Sequence, residues 1–227
     1  MTLPPAAAPD WDAIDTVLLD LDGTLLDLAF DNFIWLARVP ELYAELHGLS
    51  LAETHARLKP KFDEVHGTLA WYSIDYWSRE LAIDIAAVHH EESHRAAWLP
   101  GARGFLETLR ERGKRLVLLT NSHPVILEIK HERTHVLDYL DGAYTSHGFG
   151  APKEDQAFWR AAREVAGFDP ARSVFVDDSA AVLRAAIAAG VRHVYGVRRP
   201  DTSREPHRHE DFEAIDGVAD LLVNAEG

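Results

Sequence analysis

At 227 residues, 47% hydrophobic and 26% charged, the chain has the balance of one large globular domain, or of one domain carrying a sizeable insertion. A formal net charge of −14 and a pI near 5.3 argue against a broad surface for nucleic acid or anionic membrane, so an anionic substrate has to be met by a local cation or a few placed donors. With no cysteine, disulfides, thiolate metal sites and cysteine nucleophiles are excluded.

The opening MTLPPAAAPDWDAID has neither the basic segment nor the apolar run of a signal peptide and reads as a poorly ordered Pro/Ala tail. No apolar run reaches the ~18 residues of a membrane helix, so the cytoplasm is the expected location. Residues 16–21 read as a buried strand, and the stretch VLLDLDGTLLD drives it into Asp20 and Asp22. Strand side chains alternate, so these acids are expected on one face, where they repel; a cation or a reaction has to want them there. From 29 to 100 the pattern is helical with polar joints and no β-branched run.

After Gly101 the rhythm becomes helix–strand alternation. GARGFLETLRERG is a helix, KRLVLLT a strand, and Pro124 opens the next helix where proline is tolerated. DGAYTS follows as a weak strand, EDQAFWRAAREVAG as a helix, SVFVDD as a strand, SAAVLRAAIAAG as a helix and VRHVYGV as a last strand. RRPDTSREPHRHEDF reads as an irregular surface loop, and no internal repeat is present. The alternation predicts an α/β fold, a doubly wound parallel sheet with helices on both faces. The core domain is expected over residues 1–28 and 101–227, with an inserted all-helical cap domain over 29–100.

Sites in open α/β sheets lie beyond the carboxyl ends of the strands. There stand Asp20 and Asp22, then Thr120, Asn121 and Ser122, then Asp177 and Asp178, with Lys153 of GAPKED at a helix start. This set suits a hard cation such as Mg²⁺ together with a phosphoryl group. Each piece has a bland counterpart. Asp177, Asp178 and Ser179 are good N-caps, as are Thr120, Asn121 and Ser122, and DLDGT fits a turn with Gly23 at positive φ. Lys153 is harder to dismiss, because a cation at a helix N-terminus opposes the macrodipole. The bland reading needs four separate coincidences.

DLDGTLLD, the LLTNS run, the PKED run and VFVDDS resemble, in order, the four motifs of the haloacid dehalogenase superfamily, and the insert after the first motif resembles its helical type of cap. The resemblance implies an Mg²⁺-dependent phosphomonoesterase working through a phosphoaspartate. Asp20 is then the nucleophile and Asp22 the acid that protonates the leaving oxygen and later the base that activates water. Thr120, Asn121 and Lys153 bind the phosphoryl group, Lys153 also balancing the charge of Asp20. The metal falls to Asp20, Asp22 through its carbonyl, and Asp178, with Asp177 behind them. An Asp at position 22 disfavours a dehalogenase, whose leaving group needs no acid. A sugar-phosphate mutase or a phosphatase for sugar phosphates or phosphoglycolate stays open. A phospho-acceptor signalling module has no use for the 70-residue insert.

HERTH, with His131 and His135, matches a zinc motif literally, and Glu154 is an imaginable third ligand; a solvated helix face explains it better. His89, His90 and His94 read as a surface cluster. WYSIDYW packs four aromatics into seven residues, so some of them line a pocket or face outward while the rest form the cap's own core. DLAFDN, WYSIDYW and GAPKEDQ also resemble the bacterial GMP/IMP nucleotidase branch of the superfamily. That implies a purine nucleoside monophosphate as substrate, GMP and IMP ahead of AMP. Oligomeric state leaves no signal in the sequence.

Overall fold

The computed structural model describes residues 8–209 and 211–223; most of the expected tail, residues 1–7, lies outside the described residues. The rest of that stretch is no tail. Asp10 caps a 3₁₀ turn at Trp11–Ala13, and Trp11 packs edge-on to Phe105 while its indole N–H donates to the Leu221 carbonyl at 3.2 Å.

Six strands form one parallel sheet in the order β3-β2-β1-β4-β5-β6. They are β1 (Thr16–Leu19), β2 (Arg115–Thr120), β3 (Gly142–Thr145), β4 (Ser173–Asp177), β5 (His193–Val197) and β6 (Glu213–Ile215). The first five match the expected strands, with β1 ending two residues early. The edge strand β6 was not expected, since three residues carry no readable period. The segment before it has no regular element among its described residues, but it is not all surface: Asp201 and His209 are buried, Asp201 under hydrogen bonds from Asn32 and Ser203.

Alternation along the central strands sorts the core. Val17, Leu19, Leu116, Leu118, Val174 and Val176 meet Phe105, Leu106 and Leu109 of α6 (Ala102–Glu111) on one face. Leu18, Val117, Leu119 and Phe175 meet α9 (Gln156–Ala166) and α10 (Ala180–Ala188) on the other. Strands covered on both faces read as near-continuous apolar runs, as β1 does after Thr16. The other core helices are α7 (Pro124–Thr134), opened by Pro124 as expected, and the short α8 (Ser146–Phe149) and α11 (Asp220–Val223).

Between β1 and α6 the described backbone is helical: α1 (Ala29–Phe33), a π turn at Ile34–Arg38, α2 (Val39–His47), α3 (Leu51–Val65), α4 (Ile74–Leu81) and α5 (Ile85–Glu91), with 3₁₀ turns at Leu69–Tyr72 and Ser93–Arg95. Ser50 and Glu53 form a capping box that starts α3. The segment has its own core around Phe30, Ile34, Leu58, Trp77 and Ile85, which also takes in Ile126 and Ile129 of α7. The chain enters and leaves it at one place. Leu26 and Trp98 form an antiparallel bridge, the Asp27 N–H donates to the Ala97 carbonyl and the Leu99 N–H to the Leu25 carbonyl, both at 2.9 Å. The loop after β5 ties down the entry: Leu28 N–H donates to the Pro200 carbonyl at 2.9 Å and Asn32 to Asp201 at 2.7 Å.

Candidate active site

The strand order reverses direction at β1, between β2 and β4, and the chain's acids gather beyond the carboxyl ends of these three strands. Because β1 stops at Leu19, Asp20 and Asp22 sit in the turn beyond it and do not share a strand face as alternation suggested. The Asp20 N–H still bonds the Val176 carbonyl at 3.0 Å, and Gly23 closes the turn through its N–H to the Leu26 carbonyl at 2.7 Å. Gly23 has φ +84°, and a Cβ there would lie 2.8 Å from Pro200 Cβ and 2.9 Å from the Asp178 carboxyl, so only glycine fits.

The two acids of the turn go to two different lysines. Lys153, 2% exposed, donates to Asp20 Oδ1 and to Asp177 Oδ2, the latter at 2.7 Å. It sits in the turn before α9, whose N-cap is Asp155, and its own N–H donates to Asn121 Oδ1 at 2.9 Å. Asp177 also accepts from the Ser179 N–H at 2.8 Å, so both its oxygens are engaged, while Ser179, the N-cap of α10, makes no side-chain capping bond. The Asp178 carboxylate takes no hydrogen bond from another side chain among the described residues. Oxygens of Asp20, Asp177 and Asp178 all lie within 4.8 Å of one another.

Burial pushes Asp20 up to about 8, with Asp177 and Asp22 adding to the shift and Lys153 opposing it. Burial first, then the charges of Asp177 and Asp20, also raise Asp178 well above the ordinary carboxylate range. Three acids against one ammonium leave an excess of negative charge in a closed space, and every donor is a hard oxygen. That donor set fits a divalent cation of the Mg²⁺ type.

At the end of β2, Thr120 is 1% exposed and its Oγ1 accepts from the Ser122 N–H at 2.9 Å, which leaves the hydroxyl proton free to donate. The helix that follows is capped by His123 Nδ1, not by residues 120–122. Asn121 Nδ2 donates to Glu154 Oε2 at 3.0 Å, and Tyr72 Oη donates to Glu154 Oε1 at 2.6 Å, so the helical segment reaches the loop that carries Lys153.

Asp22 is held from the other side. Lys130 of α7, 1% exposed, donates to Asp22 Oδ1 at 2.6 Å and to both oxygens of Asp31 of α1 at 2.8 Å. Burial pushes Asp22 up to about 6, with Asp31 adding and Lys130 opposing. Sequence reasoning missed Lys130 and Asp31, named Glu154 only as a zinc ligand, and took Tyr72 only as one of an aromatic stretch. Lys130 had a readable signal: it stands four residues after Ile126 and four before Thr134, on the buried stripe of α7.

These groups open onto a cleft of about 240 Å³, walled on the helical side by Trp35, Trp71, Tyr72, Ile74 and Trp77 and on the core side by Ser122, His123 and Ile126. WYSIDYW thus serves both expectations, Trp77 being core at 1% exposure and also cleft wall. His89 corrects the surface-cluster reading: it is 1% exposed, edge-on to Phe30 and Trp35, and lines the cleft, while His90 and His94 are exposed. Its Nδ1–H donates to the Ile85 carbonyl at 2.8 Å, and burial pulls it down to about 4. In HERTH, His135 is the left-handed C-cap of α7 and largely exposed, which breaks the one-face geometry a zinc site needs.

The chain matches the family model described as haloacid dehalogenase-like hydrolase over residues 14–190. It is 44% identical over 212 residues to the GMP/IMP nucleotidase YrfG of Escherichia coli K12, covering 93% of this chain and 96% of that protein. A phosphoglycolate phosphatase of Pseudomonas putida is 27% identical over 210 residues, 84% of this chain and 74% of that protein. The crystal structure of a HAD phosphatase from Thermococcus onnurineus superposes with a TM-score of 0.78 at 22% identity, over 92% of this chain and 96% of that one. An α/β core of this topology, a matching family model across its motifs and a relative aligned nearly end to end agree: the chain is an enzyme that belongs to the haloacid dehalogenase-like hydrolase family.

Proposed function

We propose that the chain is an Mg²⁺-dependent phosphomonoesterase that hydrolyses purine nucleoside 5′-monophosphates, GMP and IMP ahead of AMP, to nucleoside and phosphate through a phosphoaspartate. The observation that carries the reading is the aromatic-walled cleft leading down to Asp20, Thr120, Lys153 and Asp178, in a chain 44% identical to a GMP/IMP nucleotidase. Residues 29–100 act as the cap that supplies the aromatic wall, and aromatic faces stack on nucleobases.

Lys153 occupies one oxygen of Asp20, leaving Oδ2 to attack phosphorus in line. The P–O5′ bond breaks as the Oδ2–P bond forms, and Asp22 gives its proton to the departing oxygen. Water then attacks the phosphoaspartate, Asp22 takes the water's proton, and phosphate leaves with Asp20 restored. Thr120 and the Asn121 backbone N–H hold the equatorial oxygens, and Lys153 balances the charge that builds on them. Asp20, Asp178 and the Asp22 carbonyl would hold Mg²⁺, which would supply the charge that lets an anionic carboxylate approach an anionic phosphate. Asp177 stands behind, its oxygens already given to Lys153 and Ser179.

A second reading, hydrolysis of phosphoglycolate, is favoured by the 27% identity to the Pseudomonas enzyme. A phosphate-release screen of nucleoside monophosphates, sugar phosphates and phosphoglycolate separates the two, run with Mg²⁺ and with EDTA. GMP and IMP should lead, EDTA should abolish turnover, and Asp20→Asn should be inactive with an unchanged circular dichroism spectrum. Preference for phosphoglycolate overturns the nucleotide reading, and EDTA-resistant turnover or an active Asp20→Asn overturns the mechanism.

A further inference from the structure

Lys130 is an expensive residue where it stands. Desolvating an ammonium costs ~several kcal/mol even after relaxation, and a leucine would continue the apolar stripe of α7 without that cost. The compensation is three short bonds, one to Asp22 Oδ1 and two to Asp31. Its 1% exposure keeps it off any ligand in the cleft, so it does not serve as a phosphate-binding cation. The geometry has another consequence. Asp20 and Asp22 repel, yet each is drawn to its own lysine, Asp20 to Lys153 beside β4 and Asp22 to Lys130 below the helical segment. Lys130 cannot swing, because Asp31 grips it with both oxygens.

We infer that Lys130 is the positioning residue of the reaction's acid–base group: clamped by Asp31, its ammonium fixes Asp22 Oδ1 and presents Oδ2 to the leaving oxygen. The inference rests on the acid–base role proposed above for Asp22. It also makes Asp31, on the first helix of the inserted segment, part of what aims a group on the core.

A misplaced acid harms only leaving groups that need a proton. The test is therefore single-turnover release, with enzyme in excess, from two substrates. One is 4-nitrophenyl phosphate, whose phenolate departs unprotonated. The other is an alkyl phosphate the enzyme turns over, IMP or, if the screen favours it, phosphoglycolate. General acid catalysis is worth roughly 10²–10⁴-fold, so Lys130→Met should slow the alkyl ester at least ~10-fold more than the aryl ester. Asp22→Asn should show the same selectivity more strongly, Lys130→Arg should recover part of the loss, and KM for 4-nitrophenyl phosphate should stay within about twofold. Equal losses on both substrates with Asp22→Asn still selective would mean that Lys130 only supports the fold, and the inference fails alone. If Asp22→Asn is not selective, the acid role of Asp22 fails and the inference falls with it. Should Lys130→Met not fold, Asp31→Asn, which keeps the ammonium but frees it, makes the same comparison, and equal losses there also overturn the inference.

Discussion

His89 shows how one buried side chain sets a pH limit on the whole fold. Its ring is neutral because burial disfavours the imidazolium, Lys130 adds to that pull, and Asp22 and the Ile85 carbonyl oppose it. Above pH ~6.5 the imidazole is uncharged in both folded and unfolded chains, so it does not shift the balance. Between about 6.5 and about 4 only the unfolded chain takes up the proton, and stability falls as pH falls. The depression corresponds to on the order of 3 kcal/mol, fully lost near pH 4. Chemical denaturation of wild type and His89→Gln at pH 7.5 and pH 4.5 checks this. The drop between the two pH values should be smaller in the variant by roughly that amount, and an equal drop in both proteins would falsify it.

Among elements, the 3₁₀ turn at Leu69–Tyr72 matters beyond its length. It carries Tyr72 to Glu154, which in turn holds Asn121, so one short turn of the helical segment braces the loop that presents Lys153. Hydrogen bonds to charged partners are worth ~1.5–3 kcal/mol, and the ring of Tyr72 stays in the cleft wall when only its hydroxyl is removed. Tyr72→Phe should therefore raise KM for GMP about 3- to 10-fold and lower the thermal midpoint by roughly 3–10 °C; steady-state kinetics that show no change in KM would dismiss the brace. The legibility of the elements follows the same logic. Strands β1, β2 and β4 and helices α6, α9 and α10 were readable because their apolar periods are long and uninterrupted. Asp20, Thr120 and Asp178 were readable because each ends or follows such an element, and Lys153 because it stands just before one. The pairs Tyr72–Glu154, Lys130–Asp31 and Lys130–Asp22 were not, because they span 82 to 108 positions and no local pattern encodes a long-range pair; the buried stripe of α7 marked the place of Lys130 but not its partners. The edge strand β6 escaped because three residues against one neighbour carry no period.

For the molecule as a whole, the site is a concentration of charge in a chain already at −14. Asp20, Asp177 and Asp178 crowd one ammonium, and a divalent cation bound among them would relieve their repulsion. By mass action a ligand at 100-fold its Kd stabilises the native state by about 2.7 kcal/mol. For a chain of this size that is roughly 5–10 °C in the thermal midpoint. Differential scanning calorimetry should show that gain with Mg²⁺, not with K⁺ at equal ionic strength, and Asp178→Asn should lose it. A wild type insensitive to Mg²⁺ would remove the cation from the site.

The paired bridge of Leu26 and Trp98 has a further consequence, in evolutionary terms. Since the helical segment begins and ends at neighbouring positions, the sheet senses its two ends and little of what lies between. On the function proposed above the segment is a cassette: rewriting its length and its aromatic wall would change which substrates are admitted while leaving the groups at the strand ends in place. Besides the packing of Ile126 and Ile129 and the Asn32–Asp201 bond, two side-chain contacts tie the segment to the groups at the strand ends, Lys130 with Asp31 and Glu154 with Tyr72. A cassette moved onto another core would have to bring its half of both, or arrive with its acid misaimed and its loop unbraced.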